Sequence, residues 1–373
     1  MPSPSSRVYA LDAIRGFAIV AMVIAHTAPF IRSTVGRVVT YPEAILNDVA
    51  APLFAMLIGA TMALTTGRIG ADPAAKRSYR IQTAIRAAIL IGLGLLLDLV
   101  FSGVHIVLDV LGVTMLAALP FLFLRSRTLL VLGSVLLLAG PLFVAAFRAL
   151  VAAQPDWFFP PNVLTKIVSW IALDQSYRLV GLLPLFLIGI VLGRSLIDKR
   201  RLPVPAMVTA AVLVFGAAEA WRFLGGPGTD VRGGYYEVLR DCAMAVGAFA
   251  VIAYLTDLAS SRVQAVARRL MAPLAVQGTM ALSIYVLHVV VLMALYNDVV
   301  APGFAMAALA GTTKAGWLVQ IGLVLFCWLF ALAWRRWLGV GPIERLMGVV
   351  TGRYPLSSLW STGRTSAPRA AAS

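Results

Sequence analysis

Residues 11–26 read LDAIRGFAIVAMVIAH, an apolar stretch that carries three ionisable side chains. At about 100° per residue in a helix, Arg15 and His26 lie within about 20° of each other, and Asp12 lies about 40° from His26. Ionisable groups at membrane depth are costly, so they usually face a protein interior or a water-filled cavity and mark function. The stretch therefore predicts a membrane-spanning helix with one functional face.

The composition extends this prediction to the whole chain. Of its 373 residues, 60% are hydrophobic and 13% are charged, and the mean hydropathy is +0.90, outside the usual range of soluble domains. Recurrent apolar stretches predict an all-α fold, a polytopic transmembrane helical bundle of about ten spans. We expect these spans at residues 11–31, 47–66, 84–102, 104–124, 128–150, 179–197, 205–224, 238–258, 274–297 and 315–338.

The remaining segments predict one bundle with two tails. We expect a single bundle over residues 11–348, between disordered tails at 1–10 and 349–373 that are rich in Ser, Pro, Ala and Arg. The apolar piece 299–311 is expected to be re-entrant or interfacial. The outer loop 148–178 predicts an interfacial amphipathic segment because of its aromatic side chains, Trp157, Phe158, Phe159, Trp170 and Tyr177.

The basic charge indicates a membrane rather than a nucleic acid. The formal net charge is +15, and most of the 31 Arg and Lys residues fall into alternate loops when the N-terminus is placed in the cytoplasm. The positive-inside rule then predicts a multi-pass protein of the plasma membrane, with both termini cytoplasmic and an even number of spans. Attraction to anionic lipids accounts for this charge. Cys242 and Cys327 lie in apolar spans as packing residues, and no metal-ligand spacing is present, so we expect no metal.

This topology places the polar residues of the spans in one layer near the extracytoplasmic side. The layer holds all three histidines and several acids or amides, namely His26, Asn47, Asp48, Asp98, His105, Asp109, Glu219 and His288, with Tyr285 one turn to the inner side of His288. Histidine changes charge near neutral pH and can move protons in either direction. We predict that His26, oriented by Asp48 and joined by His288, acts as a general base or carries an acyl group. The alternative is that these side chains only pack or form hydrogen bonds between helices.

Several stretches resemble a known family. They are LDAIRGFA with MVIAH (11–18 and 22–26), NDVAAPLF (47–54), LPLFLIG with Gly193-Arg194 (183–189), GTMALSIY (278–285) and GPIE (341–344). Together they resemble the bacterial relatives of heparan-α-glucosaminide N-acetyltransferase, in the transmembrane acyltransferase group. No histidine lies in residues 27–46, which departs from the lysosomal enzyme and brings His26 closer to other members of the group.

The resemblance implies transfer of an acyl group, typically acetyl, from cytoplasmic acyl-CoA to an extracytoplasmic sugar or glycolipid. His26 then matches the histidine of the motif helix, and Arg15 matches its arginine. Basic side chains on the inner side are candidates to meet the phosphates of the donor. The donor-site candidates are Asp12, Arg15, Arg80, Arg86 and Arg194; Asp12 and Arg15 could instead form an ion pair that fixes the helix at the cytoplasmic surface.

The leading hypothesis is therefore an O- or N-acyltransferase of the cell envelope. Asn47, Asp98, His105, Asp109, Glu219 and Tyr285 are the candidates for binding the acceptor. The main alternative is a secondary transporter or proton-coupled channel, because ionisable residues layered across helices also suit a substrate pathway. A non-catalytic membrane scaffold is the third reading. The acceptor, the acyl chain and a homodimeric state are left open.

Overall fold

The computed structural model describes residues 8–31, 37–101, 103–155, 162–197, 202–297, 299, 303 and 315–359, which form helices and turns. The all-α prediction is confirmed. The helices are α1 (Tyr9–Thr27), α2 (Arg37–Ile69), α3 (Pro73–Val100), α4 (Leu108–Ala118), α5 (Ser126–Ala153), α6 (Val163–Val168), α7 (Leu179–Ile197), α8 (Val204–Phe223), α9 (Tyr235–Ala253), α10 (Ser261–Leu270), α11 (Ala272–Gly278), α12 (Ala281–Tyr296), α13 (Ala315–Trp337) and α14 (Pro342–Val350). Five-residue π-helical turns extend α6 and α9, over Ser169–Leu173 and Tyr254–Leu258.

The length of these helices makes the chain a multi-pass membrane protein. Eight helices in the described part are long and apolar enough to cross a membrane, and there are nine if the bent pair α11 and α12 is one span. This number is consistent with the expected bundle of about ten spans. At 104–124, where one span was expected, α4 has only 11 residues. Pro120 has no N–H for a helical bond, and the chain continues in tighter turns, with Leu124 N–H bonded to Phe121 O at 3.0 Å.

Internal contacts divide the chain into two compact units. The first contains Met1–Ala50, Leu97–Val104 and Leu255–Ser373, and the second contains Ala51–Leu96 and His105–Tyr254. In the first unit, α1 crosses α11 at very short range. A Cβ atom on Gly16 would overlap the backbone of Leu274, and one on Gly278 would overlap the backbone of Asp12. Two glycines thus let the two backbones touch, as is common where helices cross in membranes.

The break between α11 and α12 is the second feature of this unit. The two helices meet at an angle of 89°. At the end of α11, Arg15 Nη1 donates to the carbonyl oxygen of Gly278 at 3.3 Å. At the start of α12, Glu344 Oε1 accepts the backbone N–H groups of Leu282 and Ser283 at 2.8 and 3.1 Å. A cation at a helix C-terminus and an anion at an N-terminus satisfy orphan backbone groups and complement the helix dipoles.

In the second unit, α7 packs closely on the part of α2 that belongs to it. Cβ atoms on Gly189 and Gly193 would overlap the carbonyl oxygens of Met56 and Ala60. The spacing Gly-x-x-x-Gly puts both glycines on one face of α7, so the face is flat enough for backbone contact. The motif that the sequence singled out at 183–194 thus serves helix packing.

Some expectations fall on other parts of the chain. The piece 299–311, apart from its residues 299 and 303, lies outside the described residues, as do Trp157, Phe158 and Phe159. Residues 1–7 and 360–373 of the expected tails lie outside them as well. The first part of the expected C-terminal tail, residues 349–359, is described. It contains the end of α14 at Val350 and a 3-10 turn over Leu356–Leu359. The single bundle over 11–348 stays a prediction.

Candidate active site

Two histidines meet inside the first unit. His26 Nδ1 lies 2.9 Å from His288 Nε2, and the two rings stack with centroids 5.1 Å apart and planes inclined by 23°. His26 is 7% exposed and His288 is fully buried. Both residues come from the layer that the sequence predicts, so this part of the predicted site is brought together from helices far apart in the chain.

The hydrogen bonds of the pair determine where its protons lie. His288 Nδ1 is 3.2 Å from the carbonyl oxygen of Ile284, and a carbonyl oxygen only accepts. In the neutral ring Nδ1 therefore carries the hydrogen and Nε2 carries the lone pair. His288 Nε2 then accepts the hydrogen of His26 Nδ1, which leaves the lone pair of neutral His26 on Nε2. This assignment makes His26 Nε2 the basic atom of the pair.

Local structure holds each ring in place. On α12, the ring of Tyr285 stands edge-on to His288, with centroids 5.2 Å apart and planes at 88°. On α1, His26 lies in the last turn, and Thr27 Oγ1 donates to the carbonyl oxygen of Val23 at 2.9 Å. Pro29 lies in the 3-10 turn that follows, because proline cannot supply the N–H that another α-helical turn requires. His26 is thus presented at the end of a helix.

The acidic partner expected for His26 lies on α2, in the same unit. Asp48 Oδ1 accepts a hydrogen bond from Asn47 Nδ2 at 2.9 Å, so the two adjacent candidates bind each other. Orientation of His26 by Asp48 stays a prediction. The histidine that contacts His26 directly is His288, which the sequence placed in the site without assigning it as the partner.

A buried carboxylate was missed by the sequence analysis. Glu43 is 7% exposed, and its Oε1 accepts a hydrogen bond from Gln320 Nε2 at 2.9 Å. The same Gln320 nitrogen is 3.4 Å from the carbonyl oxygen of Ile24, two residues before His26. The available signal is an acid four residues before the predicted start of the second span at residue 47, in a stretch that the topology predicts as an outer loop.

Three of the donor-site candidates form contacts within the protein. In the first unit, Arg15 Nη1 lies 3.3 Å from Asp12 Oδ1 as well as bonding Gly278, so the ion pair expected as an alternative is present. In the second unit, Arg194 Nη1 and Nη2 donate to the carbonyl oxygens of Leu124 and Leu122 at 2.6 and 2.9 Å.

Two further donor-site candidates lie on α3. The Arg80 guanidinium lies 5.3 Å from the centre of the Phe123 ring and is exposed. Arg86 is half-buried.

The acceptor-site candidates are spread over both units. In the second unit, Asp109 is 3% exposed and its Oδ2 accepts a 2.7 Å bond from Trp170 Nε1, with Lys166 Nζ at 3.5 Å. Glu219 Oε1 accepts a 2.7 Å bond from Arg240 Nε. His105 is exposed. In the first unit, Asp98 is exposed.

Comparison with known proteins supplies the class of chemistry. A family model described as an acyltransferase domain matches residues 8–336, which include both histidines. The chain belongs to the acyltransferase-3 family. A search of curated proteins finds no match to the chain. The family makes the protein a membrane acyltransferase; the narrower likeness to the heparan-α-glucosaminide enzyme stays a prediction.

The geometry of the histidine pair in this acyltransferase-3 member is compatible with proton transfer. Among the described residues, no three His, Cys, Asp or Glu side chains are grouped so as to hold a metal ion. The histidine pair is the group with chemistry to offer, because a neutral imidazole with a fixed tautomer can take a proton from a hydroxyl or amine. When His26 becomes charged, its bond to His288 becomes charge-assisted and stronger.

Proposed function

We propose that this protein moves an acyl group, typically acetyl, from cytoplasmic acyl-CoA to a hydroxyl or amine of an extracytoplasmic sugar or glycolipid. The observation that carries the proposal is the buried His26–His288 pair in a chain of the acyltransferase-3 family. Layered placement of these histidines near the extracytoplasmic side of the membrane, with basic residues on the cytoplasmic side, supports a donor and an acceptor that approach from opposite sides.

His26 acts as the general base in this proposal. Its Nε2 takes the proton from the acceptor as the acceptor oxygen or nitrogen attacks the thioester carbon. The tetrahedral intermediate then collapses, the carbon–sulfur bond breaks, and the leaving thiolate takes the proton from His26. His288 accepts a hydrogen bond from His26 Nδ1. This bond orients the His26 ring and stabilises it when it is protonated. The alternative is a transient acyl-imidazole. In this route Nε2 attacks the thioester carbon and the carbon–sulfur bond breaks to release the coenzyme A thiolate. The acceptor then attacks the acyl carbon, the carbon–Nε2 bond breaks, and the proton of the acceptor passes to the thiolate.

Binding of the two substrates is assigned to the sides that the topology predicts. We assign the phosphates of the donor to exposed Arg80 and half-buried Arg86 of the second unit. Asp12 and Arg15 form an ion pair in the first unit, and Arg194 binds backbone carbonyl groups in the second; these three residues stay candidates. We assign the acceptor to Tyr285, Asn47 and Asp48 in the first unit, with Asp98, His105, Asp109 and Glu219 as further candidates. Partners are the lipid bilayer and the two substrates.

The test measures acyl transfer by the purified protein. Reconstituted protein is given radiolabelled acetyl-CoA and a membrane extract of its source, and coenzyme A release and label transfer are followed. We expect turnover in the natural protein and none in His26→Ala. Label that stays on the protein after denaturation would indicate the acyl-imidazole route. Full turnover in His26→Ala would remove His26 from the mechanism.

One structural observation favours transport as a second candidate. The bent pair α11 and α12 is a broken helix of the kind that lines ion or substrate sites in transporters. Both of its broken ends are occupied by side chains of the protein, Arg15 and Glu344. Proton-flux measurements in proteoliposomes separate the two functions: flux without acyl-CoA consumption would favour transport.

A further inference from the structure

One oxygen of a buried carboxylate lacks a hydrogen bond. Glu43 is 7% exposed, yet its Oε2 is buried and has no hydrogen-bond partner among the residues that the structure describes. An unsatisfied buried polar group destabilises the fold, and the cost is larger when the group is charged. A buried group of this kind needs a partner, and a bound molecule can supply one.

The other oxygen shows that the carboxylate is held in one orientation. Glu43 Oε1 accepts one hydrogen of the Gln320 amide at 2.9 Å, and the same nitrogen is 3.4 Å from the Ile24 carbonyl oxygen. Gln320 is itself 7% exposed. The amide is thus fixed between two acceptors on α1 and α2, and it fixes the carboxylate in turn. Rigid support of this kind is typical of a preorganised site.

The position of the carboxylate connects it with the histidine pair. Because one nitrogen lies 2.9 Å from Glu43 Oε1 and 3.4 Å from Ile24 O, these two oxygens are at most 6.3 Å apart. Ile24 precedes His26 by two residues in the last turns of α1. The carboxylate therefore lies beside the end of the helix that carries the base.

The chemistry of Oε2 decides what it can bind. An ionised carboxylate is only an acceptor, so its partner must bring an O–H or N–H donor. A sugar presents several hydroxyl or amino donors close together. The thioester group of the donor has none, but the pantetheine arm behind it carries amide N–H groups, so the test must measure donor and acceptor separately.

We propose that Glu43, oriented by Gln320, binds the acyl acceptor by accepting a hydrogen bond from a second hydroxyl or amino group of its sugar. This rests on the proposed function and names a specificity residue of the same site. The group bound by Glu43 is distinct from the one that His26 deprotonates. A polar molecule with at least two such donors is the acceptor that this arrangement fits.

The substitution Glu43→Gln tests the proposal. The amide N–H of Gln320 still needs a hydrogen-bond acceptor. The new amide at position 43 therefore turns its oxygen toward Gln320 and presents its NH₂ group where Oε2 had been. The fold keeps its hydrogen bond, while the acyl acceptor loses the charge-assisted bond to the carboxylate and can at most accept a weaker, neutral bond from the NH₂ group. Protein in liposomes receives [¹⁴C]acetyl-CoA and increasing amounts of a membrane extract from its source. We expect the half-saturating amount of extract to rise about tenfold or more, with the half-saturating acetyl-CoA concentration unchanged.

Two further variants separate binding from folding. The exchange Glu43→Gln with Gln320→Glu keeps a hydrogen-bonded pair and moves the carboxylate, so we expect it to remain as poor as Glu43→Gln. Gln320→Ala releases the carboxylate from its fixed orientation. We expect the half-saturating amount of extract to rise in this variant too, with the half-saturating acetyl-CoA concentration unchanged. This variant tests the proposal if Glu43→Gln does not fold. The proposal is overturned if Glu43→Gln raises the half-saturating amounts of acetyl-CoA and of extract equally. It is also overturned if the half-saturating amount of extract does not change in this variant.

The same assay tells the two proposals apart. If the natural protein transfers no label, or if His26→Ala transfers as much as the natural protein, the proposed acyl transfer fails and the role of Glu43 fails with it. If the natural protein is active, His26→Ala is inactive and Glu43→Gln behaves like the natural protein, only the role of Glu43 is rejected.

Discussion

Replacing His288 with phenylalanine removes the nitrogen partner of His26 and keeps an aromatic ring in a fully buried position. In the natural protein, the bond from His26 Nδ1 to His288 Nε2, at 2.9 Å, contributes about 1 kcal/mol while His26 is neutral and about 1.5–3 kcal/mol when it is charged. The difference, about 0.5–2 kcal/mol, stabilises the protonated base of the transition state. At 1.36 kcal/mol per factor of ten, His288→Phe should lower kcat about 2- to 30-fold.

A second effect acts in the same direction. Without His288 Nε2, the buried N–H of His26 Nδ1 lacks its acceptor, so the ring gains by moving its hydrogen to Nε2. That tautomer places the hydrogen on the atom that must accept the proton of the acceptor. His288→Phe should therefore affect kcat more than the half-saturating concentration of either substrate.

The assay follows coenzyme A release from acetyl-CoA by the reconstituted protein, and the control is a double-mutant cycle. His26→Ala alone and His26→Ala with His288→Phe should be equally inactive, because His288 acts through His26. Thermal unfolding in detergent checks that each variant is folded. Unchanged kcat in a folded His288→Phe protein would refute the assignment of His288 as the orienting partner.

The packing and capping contacts make three further predictions about thermal unfolding in detergent. Gly278→Leu should prevent stable folding, because a side chain there overlaps the backbone of α1; a monodisperse variant that melts like the natural protein would contradict the close crossing. Glu344→Ala removes the acceptor of the two free N–H groups of α12 and should cost about 1–2 kcal/mol, which an unchanged melting temperature would exclude. Trp170→Phe removes the indole donor from buried Asp109 and should cost about 1–3 kcal/mol. A larger loss in Lys166→Met would show that the lysine, rather than the indole, is the main partner of Asp109.

The grouping of His26 with His288 could be predicted from the sequence, whereas their depth in the membrane and the functional face of α1 stay predictions. Hydropathy sets the depth of each span, and the periodicity of α1 puts Arg15 and His26 on one face. Depth then places His26 and His288 in one layer, where they meet. Both inferences use the hydropathy and the helical periodicity of short stretches, which can be read from the sequence.

The partners within the layer could not be predicted in the same way. Asp48 was favoured for His26 because the first two spans are consecutive, whereas the ring that touches His26 lies 262 positions away in the chain. Glu43 was overlooked because α2 begins at Arg37, ten residues before the expected start of the span at 47. Pairing of this kind depends on how helices rotate and cross, which hydropathy does not specify.

The break at 279–280 was missed for a related reason. Residues 274–297 read as one apolar span, and the bend depends on Arg15 and Glu344, which the chain supplies from elsewhere. Pro120 was visible in the sequence, but its effect on the fourth span was underestimated, because the flanking residues are uniformly apolar.

The cap on α12 affects where the chain can be shortened. The family model ends at residue 336, whereas Glu344 lies beyond that limit, on α14, and binds the first N–H groups of the helix that carries His288. A protein cut back to the matched region would keep both imidazoles and lose the anion that fixes the start of one of their helices. Engineers who trim this enzyme or fuse a reporter to it should therefore keep the chain intact at least through residue 350, and should not take the limit of sequence similarity as the limit of the catalytic apparatus.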